Sequence, residues 1–111
     1  MFAEVKDTLP ISGDDYDGWI IREIKAAALD LKTSAEIVLP GEIAISMDPD
    51  TGVVTDESTI TDELIITAIA TWCNMRIGNP PNYDSLLAAY NSLKGQLRLS
   101  KTYTTSEVTT E

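Results

Sequence analysis

LPISGDDYDGWIIREIKAAALDL, the stretch from Leu9 to Leu31, decides how the rest of the chain must be arranged. A short proline-bearing lead gives way to Asp14, Asp15 and Asp17. Ile20, Ile24, Ala27, Ala28 and Leu31 then recur at i, i+4, i+7, i+8 and i+11. That spacing places them in one stripe of an α-helix. It predicts a helix from about Asp14 to Thr33, capped by Ser12 or Asp14, with acids where the positive end of the helix dipole favours negative charge. Gly18 in the first turns costs only about 1 kcal/mol relative to alanine. A one-sided helix needs partners to cover it, and other periodic segments supply them.

Phe2 to Leu9 reads as a short opening helix stopped by Pro10, which cannot extend the hydrogen-bond ladder. From Ser34 to Ile60 the rhythm shifts to period two. Glu36-Ile37-Val38-Leu39 runs into Pro40-Gly41, and Ile43, Ile45 and Met47 alternate with Glu42, Ala44 and Ser46. Asp48-Pro49-Asp50-Thr51-Gly52 is turn chemistry, and Val53-Val54-Thr55 can return as a second strand. A β-hairpin or long loop over about 36–58 is therefore expected. A second long helix is predicted from Thr61 to Ile77, capped by Ser58, Thr59 or Thr61. It is apolar around much of its circumference, as befits a central position. Gly78-Asn79-Pro80-Pro81 stops it. A third spans Tyr83 to Leu97, with Leu86, Tyr90, Leu93 and Leu97 in its stripe and Leu87 broadening it. Beyond Leu99 the chain turns polar and threonine-rich, and 100–111 is expected to be an extended or flexible tail. The expected fold is thus mainly α: three principal helices, a short N-terminal one, an inserted hairpin, and one domain over 1–99.

The 111 residues suffice for a single modest core, and 43% hydrophobic residues place the chain among globular proteins. No apolar run reaches membrane-span length, and no basic segment precedes an apolar one at the start, so neither a span nor a cleaved leader is expected. Eight basic residues against eighteen acidic ones give a formal charge of −10. No Lys or Arg lies between Thr33 and Met75, where Glu36, Glu42, Asp48, Asp50, Asp56, Glu57, Asp62 and Glu63 fall. Such a field confers solubility and disfavours gripping nucleic-acid phosphates. The absence of histidine removes the usual general base and zinc ligand. The one cysteine, Cys73, sits in an apolar helical run and reads as a small buried hydrophobe. No nucleophile is paired with a base, so neither an enzyme nor a cofactor is expected. Asp48-x-Asp50-x-Gly52 begins like a calcium loop, but the later ligands and the closing glutamate are missing, which leaves a plain turn.

Leu9, Ile11, Asp14, Asp15, Asp17, Trp19, Ile20, Ile21 and Ala26 to Ala28 form a pattern of apolar-proline lead, acids and Ile/Ala-rich helix. With the apolar helix Ile65 to Arg76 and the later Leu86-Leu87-x-x-Tyr90, it resembles the small head–tail connector proteins of tailed bacteriophages. These are also called adaptor, head-completion or DNA-packaging connector proteins. The resemblance covers about Phe2 to Leu97 and rests on helix patterns. It implies a structural, non-enzymatic role in the virion, at the head–tail interface. Copies would form a homo-oligomeric ring on the portal protein, extend the DNA channel and dock a stopper or tail-completion protein. DNA would pass without specific binding, and no membrane is involved.

Position and composition nominate the partner-binding residues. Trp19, near the exposed start of its helix, fits either an interface anchor or core packing, whereas Trp72, among apolar neighbours, fits the core. Arg22, Lys25 and Lys32 share a polar face able to meet the acidic stretch of a neighbouring copy. Asp48 and Asp50 mark the hairpin tip as a contact on the tail side. Lys101, Tyr103, Thr104 and Thr105 lie in a stretch with the β-propensity to add as a strand to the portal or a neighbour. The competing reading is a small acidic inhibitor that mimics DNA charge and occupies a basic site on a nucleic-acid-binding protein.

Overall fold

A computed structural model describes residues 1–11, 13–77 and 81–99. Ser12, three of the helix-stop residues (Gly78, Asn79, Pro80) and the 100–111 tail lie outside the described residues. The architecture is mainly helical, in the order α1 (Phe2–Asp7), α2 (Asp17–Ser34), β1 (Ile45–Met47), β2 (Val54–Asp56), α3 (Glu63–Arg76) and α4 (Tyr83–Leu99). One hairpin stands between the first two long helices, as the change of period predicts.

The α2 stripe is buried in full: Ile20, Ile24, Ala27, Ala28 and Leu31, joined by Ile21. All of these but Ala28 share one core cluster with Ile65, Ala68, Ile69 and Cys73 of α3 and with Phe2, Val5 and Leu9. α3 packs against α1, α2 and α4, the central place its apolar circumference predicts. α4 leans on α3 through buried Tyr90 and Leu97, with Leu86 and Leu93 half-buried beside them. Leu87, expected to widen that stripe, is instead exposed: α4 packs its apolar face mainly on α3 and meets α2 through polar contacts of Tyr90 and Lys94 with Asp30 and Ser34.

The starts of α2 and α3 differ from the sequence expectation, whereas α4 begins at Tyr83 as expected. α2 begins at Asp17, and Tyr16 occupies its N-cap position without a side-chain cap bond. Gly13, at φ +82°, turns the chain ahead of it, and the Asp14 carbonyl accepts the Asp17 N–H at 3.2 Å. Asp14 therefore builds a preceding turn instead of capping the helix. α3 is capped by Asp62, whose Oδ1 accepts the N–H groups of Leu64 (3.0 Å) and Ile65 (3.2 Å). Ser58 and Thr59 are occupied elsewhere. Ser58 Oγ takes the Ala44 N–H at 2.9 Å, and Thr59 Oγ1 takes that of Glu42 at 2.8 Å.

Those hydroxyls also explain why the strands are short. β1 and β2 pair antiparallel over three residues each, Ile45 opposite Asp56 and Met47 opposite Val54. Beyond them the side chains of Ser58 and Thr59 alternate with the backbone as acceptors, so Ile43 belongs to an irregular extension of the hairpin. Only Ile45 of the expected alternating set is buried. At the tip, Gly52 (φ +75°) donates to the Asp48 carbonyl at 2.8 Å, and the Asp48 carboxylate accepts from Asp50 N at 2.8 Å and Thr51 N at 3.3 Å. This is an aspartate-built turn, set by local hydrogen bonds.

The chain leaves α2 through Glu36, a non-glycine residue at φ +57°. A left-handed conformation crowds the Cβ of an L-residue by on the order of 1 kcal/mol. Ile37 N–H closes the corner on the Leu31 carbonyl at 3.1 Å. Glu36→Gly should therefore raise the midpoint of urea unfolding slightly, a gain of up to about 0.5 kcal/mol in stability after the extra chain entropy of glycine is subtracted. A midpoint unchanged or lowered would contradict this account of the corner.

Candidate functional site

Burial of one α2 face leaves its opposite face to solvent. Trp19, Arg22, Lys25, Leu29 and Lys32 follow one another there at helical spacing, all exposed. Trp19 is 36% exposed, with its ring 5.8 Å from that of Tyr16 and its Nε1–H donated to Glu23 Oε2 at 3.2 Å. It is thus an indole anchored at one edge and open to solvent at the other, neither a core side chain nor fully exposed. Among the described residues Arg22, Lys25 and Lys32 make no ion pair, although acids outnumber bases by more than two to one in this chain. Arg98 of α4 is likewise without an ion pair among the described residues, and the acids that do pair engage four other cations. Lys6 reaches Asp17 (2.7 Å), Lys94 reaches Asp30 (3.2 Å), Arg76 approaches Glu23 (3.7 Å), and the Met1 ammonium holds Glu4 and Asp56.

Lys25 and Lys32 stand beside a groove of about 670 Å³ between α2 and the irregular 37–43 segment. Its apolar lining includes Leu29, Ile37, Val38 and Ile43. Leu29 is 59% exposed, a large apolar side chain left uncovered between two lysines. Sequence reasoning found the cations but missed the groove, which exists only because the chain doubles back along α2 after Glu36.

Asp48 and Asp50 sit on the hairpin tip, both exposed, next to Met47 and to Val53, which is 60% exposed. The structure thus sets Trp19, Arg22 and Lys25 on α2 and Asp48 and Asp50 on the hairpin tip, whose Met47 lies beside Gly18 in the first turn of α2, and among the described residues no ion pair joins the two groups. Lys101, Tyr103, Thr104 and Thr105 lie outside the described residues. Comparisons with protein-family models, curated proteins and solved structures found no match. Among the described residues no three potential metal-ligating side chains cluster, and no helix is long and apolar enough to cross a membrane.

Behind the exposed face lies a polar hub that the sequence did not reveal. Glu23, nearly buried, accepts the Trp19 indole through Oε2 and the Trp72 indole through Oε1 at 2.9 Å. Trp72 in turn meets the Tyr90 ring edge-on at 5.3 Å and carries the Arg76 guanidinium over its face at 5.1 Å. Trp72 is therefore half-buried, packed on the core while its indole N–H is tied to Glu23. Tyr90 donates its hydroxyl to Asp30 at 2.6 Å; burial and then that carboxylate push the phenol well above its usual range. Burial, helped by the Glu23 charge, lifts the Cys73 thiol to about 12, so it is an unreactive core side chain at neutral pH.

The hairpin base is clamped to the start of the chain. Asp56 Oδ2 accepts the Phe2 N–H at 2.7 Å and lies 3.0 Å from the Met1 ammonium. Partial burial opposes the Asp56 charge, but the donors of Phe2 and Ser58 and the ammonium outweigh it and hold the carboxyl far below its usual value. The ammonium is disfavoured by burial, yet Glu4 and Asp56 raise it above its usual value. A lowered carboxyl stabilises above its unfolded pKa near 4 and loses that contribution as pH falls; a raised ammonium stabilises below its unfolded pKa near 8 and loses it as pH rises. Asp56→Asn should thus lower stability most between about pH 5 and 7, by roughly 1–3 kcal/mol, with the gap to the parent narrowing on either side. Urea titrations at pH 3, 6 and 9 check this; a gap independent of pH would remove the charge from the explanation.

Proposed function

We propose that this chain is a structural head–tail connector of a tailed bacteriophage, acting as a ring of copies on the portal. The ring extends the DNA channel and docks a stopper or tail-completion protein. The observation that carries the reading is the placement of the three resembling segments. The acid-led Ile/Ala helix is α2, the apolar helix ending in Arg76 is α3, and the Leu-Leu-x-x-Tyr segment is in α4, with the hairpin standing between the two long helices α2 and α3. Charge supports it as well. With a net −10 and eight basic residues against eighteen acids, DNA phosphates find little to hold them, which suits a wall past which a genome slides.

The role is mechanical and needs no reacting group. The buried stripes of α2, α3 and α4 make a rigid body, while the α2 outer face and the hairpin tip remain free for other chains. Disrupting the coding sequence in a phage that carries it should yield heads that package DNA but leak it and lack tails, restored by the protein supplied in trans. Normal, infectious, tailed virions without the polypeptide would refute the reading.

A further inference from the structure

We infer, resting on the connector reading, that the hairpin tip of one copy seats in the α2 groove of the next, with Asp48 and Asp50 against Lys25 and Lys32 and Val53 against Leu29 and Val38. The two surfaces are complementary in charge and in apolar character. The groove offers two lysines, without an ion pair among the described residues, against one carboxylate, Glu42, around uncovered Leu29 and Val38; the tip offers two exposed aspartates beside Val53 and Met47. Asp48 keeps its turn bonds through Oδ1, leaving Oδ2 for a partner.

The tip cannot fill the groove of its own chain. Met47 lies over the first turn of α2, where a Cβ built on Gly18 would meet its Cε at 3.4 Å. Leu29 is eleven residues further along that helix, about 16 Å at 1.5 Å per residue. The tip and groove therefore sit toward opposite ends of the same helix, and docking one into the other on a second copy is head-to-tail. Repetition of a heterologous contact closes a ring when its rotation allows. A single tip in a groove is a small contact, so copies join weakly in free solution and firmly once a platform holds several side by side.

The test uses the full chain at millimolar concentration with a short bismaleimide. The double variant Leu29→Cys/Val53→Cys should give a ladder of dimers, trimers and higher species, whereas either single variant stops at dimers. Cys73 stays silent because it is buried. Adding Lys25→Glu/Lys32→Glu, or Asp48→Lys/Asp50→Lys, to the cysteine pair should cut the ladder at least tenfold. Mixing the two charge variants should restore it, because each groove then finds a tip of opposite sign. Raising NaCl to 0.5 M should weaken it. Unchanged circular dichroism for each variant shows that the fold is intact. No ladder, or a ladder indifferent to charge reversal, overturns the inference. If that happens while the parent protein still binds portal-bearing heads, the connector reading survives without this contact. A charge-dependent ladder without binding to such heads supports the contact and removes the connector reading.

Discussion

Replacing Glu23 by alanine should cost about 3 kcal/mol, and replacing it by glutamine about 1 kcal/mol. Alanine strips both indole N–H groups of their acceptor, and the Trp72 group is half-buried, so little water reaches it. An orphaned buried donor costs on the order of 1–3 kcal/mol, and the missing side chain adds a small void at the α2–α3 seam. Glutamine keeps one acceptor and fills the space, but turns its amide donors toward Arg76 or an indole. Leucine would separate packing from polarity, because buried charges replaced by apolar groups of similar volume are often neutral. Urea unfolding followed by tryptophan fluorescence reads the effect at its source. Labelling of Cys73 by a thiol reagent gives a second measure, since that thiol is exposed only on unfolding. An alanine variant as stable as its parent would mean that the carboxylate is not the hub joining α2 to α3.

Gly41→Ala should be comparably damaging, by about 1–3 kcal/mol, for a steric reason. A Cβ there would lie 2.7 Å from Thr59 Oγ1 and 3.1 Å from both the backbone N and the Cγ1 of Ile60. The hydroxyl cannot simply rotate away, because it holds the Glu42 N–H at 2.8 Å, and Ile60 is buried in the core. Either the hairpin base opens or Ile60 shifts, and both forfeit packing. Thr59→Ser would leave the contact in place, whereas Gly41→Ala combined with Thr59→Gly should recover part of the loss. The groove wall runs through Gly41, so the same substitution should disturb the α2 groove and weaken the cross-linked ladder. Full stability in Gly41→Ala would contradict the close approach of 41 and 59.

The helices were legible because each carries its own period. The stripe in α2 and the apolar circumference of α3 state which faces must be covered before any partner is known. The hairpin was legible from Asp48 to Gly52, where turn residues have local physical reasons. Helix starts were less so. The sequence suggests Ser12 or Asp14 for α2 and Ser58, Thr59 or Thr61 for α3, yet Tyr16 and Asp62 hold the cap positions, which the turn at Gly13 and the bonds of Ser58 and Thr59 decide. The Glu23 hub was illegible because its partners lie four and forty-nine residues away, and a glutamate on a helix ordinarily faces water. The groove depends on a left-handed corner at Glu36, a residue type that gives no warning of positive φ. What the sequence offered for the site was its cations and its acidic tip; what it lacked was the apolar floor between the lysines.

The central claim, that this helical body is a ring-forming adaptor for a portal, is tested most directly by mixing purified protein with tail-less, portal-bearing heads of the encoding phage. Co-sedimentation and negative-stain images should then show a collar of copies at the one portal vertex and none on isolated capsid shell. Heads that gain no collar at saturating protein, together with salt-sensitive capture of the same protein by a basic nucleic-acid-binding partner, would contradict it.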